Sequence, residues 1–529
     1  MVSKTVNCIL RNRFFWPLCF LGIVFLSLYG FRDYGLSFDE PAQRNHLLVQ
    51  SKHIFLKVGL LRYAPKSVCE ATDLLTYPNR FYGVAGQYPL LIIEYFPHIF
   101  NPKTPLFWEI RHLYTRGFFL LSAFAFFFII NRVTKSNLVL FIGMMLYMFH
   151  PRIYANSFYN IKDLLFLTFM VFSMLFLLRF IEKPTWKGAV LLGVFSAITI
   201  NIRMMGVLIP LFVAIWLLGK IRDDAKSISK YLIIYLCVTS LTLVLFWPTL
   251  WIDPVRLFGE AFSFFSHYSV WQGTVIFRGT LVKGTQLPLI YVPVWIGITS
   301  PFAHLLTWVL GILIIIYQLG ATLFYRKVYG QLIGYFSLYV IFSSYMAVLF
   351  FHSVLYGDWR HLYYLFPMLC VLSVIALENV RLYSKKVFIV LLLIVIASLS
   401  QTAWWMVRNH PHHYVYFNSL AGREWGKRWD LDMWRLSYKQ GVLKLIKSDG
   451  DRGLLLVYSD DSLARAMLML SEELQAKIRL VSNIKEVDYA FGDYRNVIGD
   501  YPLNSYDNMK EYIHITVDGN KIMTIFKRE

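Results

Sequence analysis

Residues 159–183 read YNIKDLLFLTFMVFSMLFLLRFIEK. Positions 164–181 carry one charged residue, Arg179, and are otherwise almost wholly aliphatic or aromatic. A helix rising 1.5 Å per residue over such a run crosses a hydrocarbon core of about 30 Å. The two flanks differ in chemistry. Tyr159, Asn160, Lys162 and Asp163 precede the run, whereas Arg179, Lys183 and Lys187 close it. This predicts a membrane span with a basic end and an end that mixes charge, amide and ring.

The pattern repeats along the 529 residues, of which 57% are hydrophobic and 18% aromatic, well beyond a soluble domain. Apolar runs occupy roughly 14–31, 113–130, 138–150, 164–181, 188–219, 231–250, 288–317, 331–351, 362–377 and 387–407. The run 188–219 is too long for one span and is interrupted by Asn201 and Arg203, so it divides into two helices. The run 138–150 is short and has to lie deep in a bundle or extend into its flanks. Lys4, Arg11 and Arg13 ahead of the first run look like a signal peptide, but no small-residue cleavage site follows Gly30, which predicts an uncleaved first helix. The expected fold is an α-helical polytopic membrane protein of about eleven spans over residues 1–411, with a small soluble α/β domain at 412–529.

Lysine and arginine number 52 against 32 aspartates and glutamates, a net charge of +20. In a soluble protein this would suggest a nucleic-acid partner. Here the excess collects in short connections between apolar runs, as in cytoplasmic loops, and argues against nucleic acid. One register places the N-terminus, Arg132/Lys135, Arg179/Lys183/Lys187, Lys220/Arg222/Lys226/Lys230, Arg326/Lys327 and Arg381/Lys385/Lys386 in the cytoplasm. The opposite face then receives the loop 32–112, the turn 151–163, the loop 251–287 and everything after about 408. Of Cys8, Cys19, Cys69, Cys237 and Cys370 only Cys69 falls on that outer face, so no disulfide framework is expected. The tail promises a strand at 453–458, a helix at 462–473 and a hairpin around Asp518-Gly519-Asn520. No Asn-x-Ser/Thr acceptor occurs, which agrees with a bacterial inner membrane, the site facing the periplasm.

Five clusters on the outer face carry possible chemistry. Ser37-Phe38-Asp39-Glu40-Pro41 places two carboxylates just after the first span. An aspartate near a hydroxyl can act as general base while its neighbour orients an acceptor or binds a cation; a helix cap with an acidic first turn explains the pair equally simply. Lys162-Asp163 opens a span and suits either a phosphate or an interfacial anchor. Arg203, between two apolar helices, has to face water, a carboxylate or a lipid phosphate. The loop with Trp251, Asp253, His267, Tyr268, Trp271, Gln272 and Arg278 suits a sugar or phosphate, although aromatic belts give similar mixtures. Tyr356-Gly357-Asp358-Trp359-Arg360-His361 adds a guanidinium fork that can grip phosphate. Together the five describe a site for an anionic, lipid-attached, hydroxyl-rich substrate. No metal-ligand spacing, P-loop, dinucleotide fingerprint or Ser-His-Asp signature occurs, which argues against ATP hydrolysis and nicotinamide chemistry.

With Asp39-Glu40 after span one, Lys162-Asp163 at the start of a later helix and a soluble outer tail, the chain resembles the GT-C glycosyltransferases, especially the branch of protein O-mannosyltransferases and lipid A aminoarabinose transferases. Tyr416-Phe417-Asn418-Ser419-Leu420-Ala421-Gly422 and Trp429-Asp430-Leu431-Asp432-Met433-Trp434 resemble a segment after the last span of bacterial members. The resemblance implies a sugar donor on polyprenyl phosphate, inverting transfer to a lipid, glycan or protein hydroxyl, Asp39 as base and Glu40 as its partner. It also implies donor contacts from Lys162 and Asp163, with Arg203, His267, Arg278, Arg360 and His361 as further candidates. A divalent cation, Mg or Mn, on Asp39, Glu40 or Asp163 stays open. No MIR-type repeats occur, which weighs against the protein acceptors of the eukaryotic enzymes. Two rivals remain: a transporter or flippase for a lipid-linked sugar, against which the lack of related halves counts, and an assembly subunit without chemistry.

Overall fold

The structure, a computed structural model, describes residues 15–220, 225–268, 270–325, 331–501, 506 and 508–529. Lys4, Cys8, Arg11, Arg13, Arg222, Arg326 and Lys327, on which part of the expected register rests, lie outside the described residues. Among the described residues eight helices are long and apolar enough to cross a membrane, or nine if one bent pair counts as a span.

The chain runs through α1 (Phe15–Gly30), α2 (Glu40–Lys57), α3 (Pro105–Val133), α4 (Asn137–Met148), α5 (Pro151–Tyr159) and α6 (Ile161–Glu182). It continues through α7 (Trp186–Ile202), α8 (Leu208–Lys220), α9 (Ala225–Phe246), α10 (Pro254–Ser266) and α11 (Tyr291–Thr299). The last long helices are α12 (Phe302–Tyr325), α13 (Leu332–Phe350), α14 (Phe366–Tyr383) and α15 (Lys385–Arg408). The stretch 164–181 lies in α6, which is buried nearly all round, as a helix apolar on every face has to be. Its start is set by Asn160, whose Oδ1 accepts the Asp163 N–H at 3.3 Å.

Three expectations need correction. The turn at 151–163 is a helix: α4 and α5 form a pair bent by 57°, with Pro151 at the start of α5 and a His150 ring nitrogen accepting from the Ile153 N–H at 3.4 Å. The short run 138–150 is therefore one arm of a broken element. The run 288–317 is also two helices, because Ser300 before Pro301 is extended (φ −108°, ψ 140°) and α12 then continues to Tyr325. Finally, α3 begins at Pro105, and its first turns bury Glu109, Arg111, His112 and Arg116, polar groups that hid them from a hydropathy reading.

The bundle has two chemically distinct ends. At one, Arg132 pairs with Glu182 at 2.9 Å, Thr134 donates to Glu378 at 2.8 Å and Arg381 grips Glu378 with two bonds. At the other, the loops expected on the outer face gather. Loop 251–287 holds α10 and a hairpin of β1 (Thr274–Phe277) and β2 (Thr280–Lys283), turned by Arg278 and Gly279 with φ of 56° and 81°.

The tail adds α16 (Ser437–Asp449), β3 (Leu455–Tyr458), α17 (Asp461–Met467), β4 (Ile478–Val481), β5 (Tyr489–Asp493), β6 (Met509–Val517) and β7 (Asn520–Arg528). The sheet order is β4-β3-β5-β7-β6, with β3 parallel to β4 and β5 and the other pairs antiparallel. The helical pattern at 462–473 splits in two, α17 and Glu472–Gln475, at an extended Ser471. The expected hairpin joins β6 to β7, and its tip docks on α15, the Trp405 Nε1–H donating to Asp518 at 2.6 Å.

Between α15 and the sheet, Asp430 is buried and accepts the Ile276 N–H at 3.1 Å. Burial pushes its carboxyl up to about 7, with the Ile276 bond and Arg495 pulling back only in part. Since the folded state holds its proton more tightly than the unfolded one, the protein loses stability as pH rises from the ordinary range near 3.8 through about 7. Asp430→Asn is expected to raise the unfolding temperature of detergent-solubilised protein at pH 8, by about 2 kcal/mol of stability, and to change little at pH 4. An equal effect at both pH values would contradict the buried-proton account.

Candidate active site

The acidic pair after α1 parts company in the fold. Asp39 occupies the cap position of α2, yet its carboxylate makes no capping bond. Glu40 takes the structural work instead: Oε2 accepts the Ser37 N–H at 2.8 Å, and Oε1 lies 3.0 Å from His112 Nε2. Ser37 also ties this turn to α5 by donating to the Tyr159 carbonyl at 3.3 Å. Glu40 is thus buried and turned to His112 while Asp39 turns elsewhere, because adjacent carboxylates repel unless each finds its own donors.

The Asp39 carboxylate turns to Arg360, whose Nη1 is 2.9 Å from Oδ2. The same nitrogen lies 3.6 Å from Asp163 Oδ2, so Arg360 bridges two carboxylates that are remote in sequence. Asp163 is further held by the Asn160 Nδ2–H at 2.9 Å and by a close ion pair with Arg203. Arg203 reaches it because α7 stops there in an extended residue (φ −148°, ψ 135°). Asn201 pins that break, accepting the Ala85 N–H at 2.8 Å and donating to the Phe246 carbonyl at 3.2 Å.

Arg360 is built into a sandwich, its guanidinium carbon 4.6 Å from the Tyr356 ring centroid and 4.5 Å from that of Trp434. Two left-handed residues precede it, Gly357 (φ 66°) and Asp358 (φ 64°). A side chain at Gly357 would run into Met433, and Asp358 is fixed by Arg152 at 2.6 Å and the Tyr363 hydroxyl at 3.0 Å. Tyr356 in turn stacks on Trp271 at 4.4 Å and meets the His361 ring edge-on at 4.8 Å.

Lys162 stands apart from the carboxylates. Its Nζ is 3.5 Å from the Tyr82 ring centroid, and among the described residues no carboxylate lies within 4 Å of it. Tyr82 donates to the Tyr268 hydroxyl at 3.1 Å. Burial pushes the Tyr82 phenol up to about 12 and raises those of Tyr268 and Tyr356 as well, so all three stay protonated at neutral pH. None of them serves as a base. The Asp39 side chain is 36% exposed, against 3% for Glu40 and 2% for Asp163, and is the carboxylate of the three within reach of a solute.

Asp39, Lys162, Asp163, Arg203, Arg360 and His361 therefore come together, whereas His267 and Arg278 do not. His267 is exposed at the end of α10, its Nδ1 beside Ser266 Oγ at 3.1 Å; Arg278 is exposed on the hairpin turn over the Phe277 ring at 5.7 Å. The loop's regular structure turns Tyr268 and Trp271 inward and these two outward. Sequence reasoning passed over Tyr82 and Arg152. Tyr82 had no local signal, but Arg152 did: a basic residue between two runs on the face that should be poor in them.

A divalent cation does not suit these residues. Asp39 and Asp163 are already neutralised by Arg360 and Arg203, Glu40 is turned to His112, and Lys162 sits nearby. Among the described residues no group of three or more His, Cys, Asp or Glu is placed to cage a metal.

Residues 108–252 match the family model for dolichyl-phosphate-mannose-protein mannosyltransferase. The matched part contains Lys162, Asp163 and Arg203; Asp39 and Arg360 lie outside it. No curated protein matches the chain in sequence. Among solved structures, the crystal structure of ArnT from Cupriavidus metallidurans in the apo state is similar, at 12% identity over 96% of this chain and 97% of that chain, with a TM-score of 0.46.

Proposed function

We propose that this integral membrane protein is a glycosyltransferase that moves a sugar from a polyprenyl-phosphate donor to an acceptor hydroxyl with inversion, Asp39 being the general base. The observation that carries this reading is the charge balance of the cluster. Two carboxylates face three basic side chains, and among the described residues Lys162 is the one left without a carboxylate partner within 4 Å, near the half-open Asp39. A lysine amine set over the Tyr82 ring without a counter-charge suits the anionic oxygens of a phosphodiester. The mannosyltransferase family model over residues 108–252 supports it.

In this mechanism Asp39 takes the acceptor proton as the hydroxyl attacks the anomeric carbon from the side opposite the phosphate. The carbon–oxygen bond to phosphate breaks, and polyprenyl phosphate leaves with one more negative charge. Lys162, with Arg203 behind it, stabilises that charge, an electrostatic contribution of about 3 kcal/mol per well-placed donor. Arg360 orients Asp39 through one oxygen and leaves the other to the acceptor. Because the donor is already activated, no nucleotide is needed, which fits a site on the periplasmic face of a bacterial inner membrane.

Mass spectrometry of envelope lipids and glycans from cells lacking the protein is expected to show loss of one sugar decoration, restored by the wild-type chain. Unchanged envelopes would defeat the reading. Orientation is tested separately: Cys69 is expected to react with a membrane-impermeant thiol reagent applied to the outer side, and labelling only from the cytoplasm would invert the assignment.

A further inference from the structure

The tail does more than cover the bundle. Its parallel strand β3 ends at Tyr458, three residues ahead of α17, the helix that meets the loop carrying Asp39, and open α/β sheets bind ligands outside such carboxyl ends. Two arginines stand there. Arg435 is matched, pairing through Nε with Asp493 at 2.6 Å. Arg465, on α17, has no ion-pair partner within 4 Å among the described residues. Its guanidinium carbon lies 4.7 Å from the ring centroid of Phe38, the residue before Asp39, and among the described residues its one hydrogen bond goes to Ser462 Oγ at 3.1 Å.

Of the nearby acids, Asp460 and Asp493 are engaged elsewhere, and among the described residues Asp461 makes no ion pair with Arg465 within 4 Å. Asp460 Oδ1 caps α17 by accepting from Ser462 N–H at 2.7 Å and Leu463 N–H at 2.6 Å, while Oδ2 takes the Tyr438 hydroxyl at 3.3 Å. Asp493 accepts from Arg435, from the Arg495 N–H at 3.0 Å and from Tyr438 at 3.4 Å. Burial, and then Arg435, disfavour the charge on Arg465, which Asp461 and Asp460 offset only in part. Phe38 is 48% exposed and the side chain of the next residue, Asp39, 36% exposed, so the Arg465 guanidinium lies over an accessible ring one residue from an accessible carboxylate.

We infer that Arg465, with Phe38, is the acceptor-recognition element of this site: it binds an acidic group, phosphate or carboxylate, carried by the acceptor next to the hydroxyl that Asp39 deprotonates. The inference rests on the transfer reading and adds to it a substrate class and a specificity-determining residue supplied by the tail.

The test uses full-length protein in phosphatidylcholine nanodiscs, with undecorated envelope material from the deletion cells as acceptor and their lipid-linked sugar fraction as donor. Arg465→Ala is expected to raise the acceptor concentration for half-maximal rate about tenfold, equal to about 1.4 kcal/mol, with the donor requirement changed by less than about twofold. Arg465→Lys recovers most of the loss, and both variants bind undecaprenyl phosphate as the wild type does, which certifies the fold. Inorganic phosphate competes with the acceptor in the wild type and not in Arg465→Ala; competition by phosphatidic acid in the nanodisc instead identifies the acid as a lipid headgroup. Unaltered acceptor dependence in Arg465→Ala, or equal losses for donor and acceptor, would overturn the inference while leaving the transfer reading intact. Failure of the wild type to transfer sugar at all would overturn that reading and this inference with it.

Discussion

Asp39→Asn is expected to remove sugar transfer, by a factor of about 10² to 10⁴ in turnover, from a protein that still inserts and folds. The two side chains have nearly the same shape, and the amide oxygen still accepts the Arg360 hydrogen bond that holds residue 39 in place. What disappears is basicity. The decoration missing from the deletion cells should remain missing when they carry this variant, while thermal unfolding of the purified protein stays close to wild type. Full restoration of the decoration would remove Asp39 from the mechanism. Retained donor binding by the same variant would locate the defect in proton removal.

Arg360→Ala is expected to damage both activity and stability. It leaves Asp39 and Asp163 facing each other without the guanidinium between them, and it empties the slot between Tyr356 and Trp434. Breaking a buried pair by removing one partner costs about 3–5 kcal/mol, and Asp163 keeps only Arg203 and Asn160 in compensation. Arg360→Lys keeps the charge but not the planar fork or the stacking, so it should recover part of the stability and little of the transfer. Combining Arg360→Met with Asp39→Asn removes the repulsion and should restore stability relative to Arg360→Ala, without restoring transfer. Wild-type unfolding behaviour in Arg360→Ala would show that the bridge contributes nothing to the fold.

The helical bundle was legible because membrane spans are set by length and composition alone, and 164–181 is nearly pure in both. Where polar residues are buried inside the bundle, that signal fades, and so α3 was read too short and α5 as a turn. The site was legible in part for a related reason. Asp39, Lys162, Asp163, Arg203 and Arg360 are charges at span ends on the face that should be poor in them, and the fold brings them together. Their division of labour was not legible. Nothing local separates Asp39 from Glu40; His112 on another helix does. His267 and Arg278 looked equivalent to the rest because the facing of loop residues depends on a helix and a hairpin whose packing the loop sequence does not reveal.

The aromatic sandwich around Arg360 sets an order of events during synthesis. Tyr356 emerges from the ribosome just ahead of the arginine, but Trp434 follows only after α14 and α15 have been made and inserted. A nascent chain released before that point has every membrane helix and every charged side chain of the cluster, yet one face of its central guanidinium is bare. Competence therefore arrives late and all at once, after the bundle is complete and the tail has folded back on it.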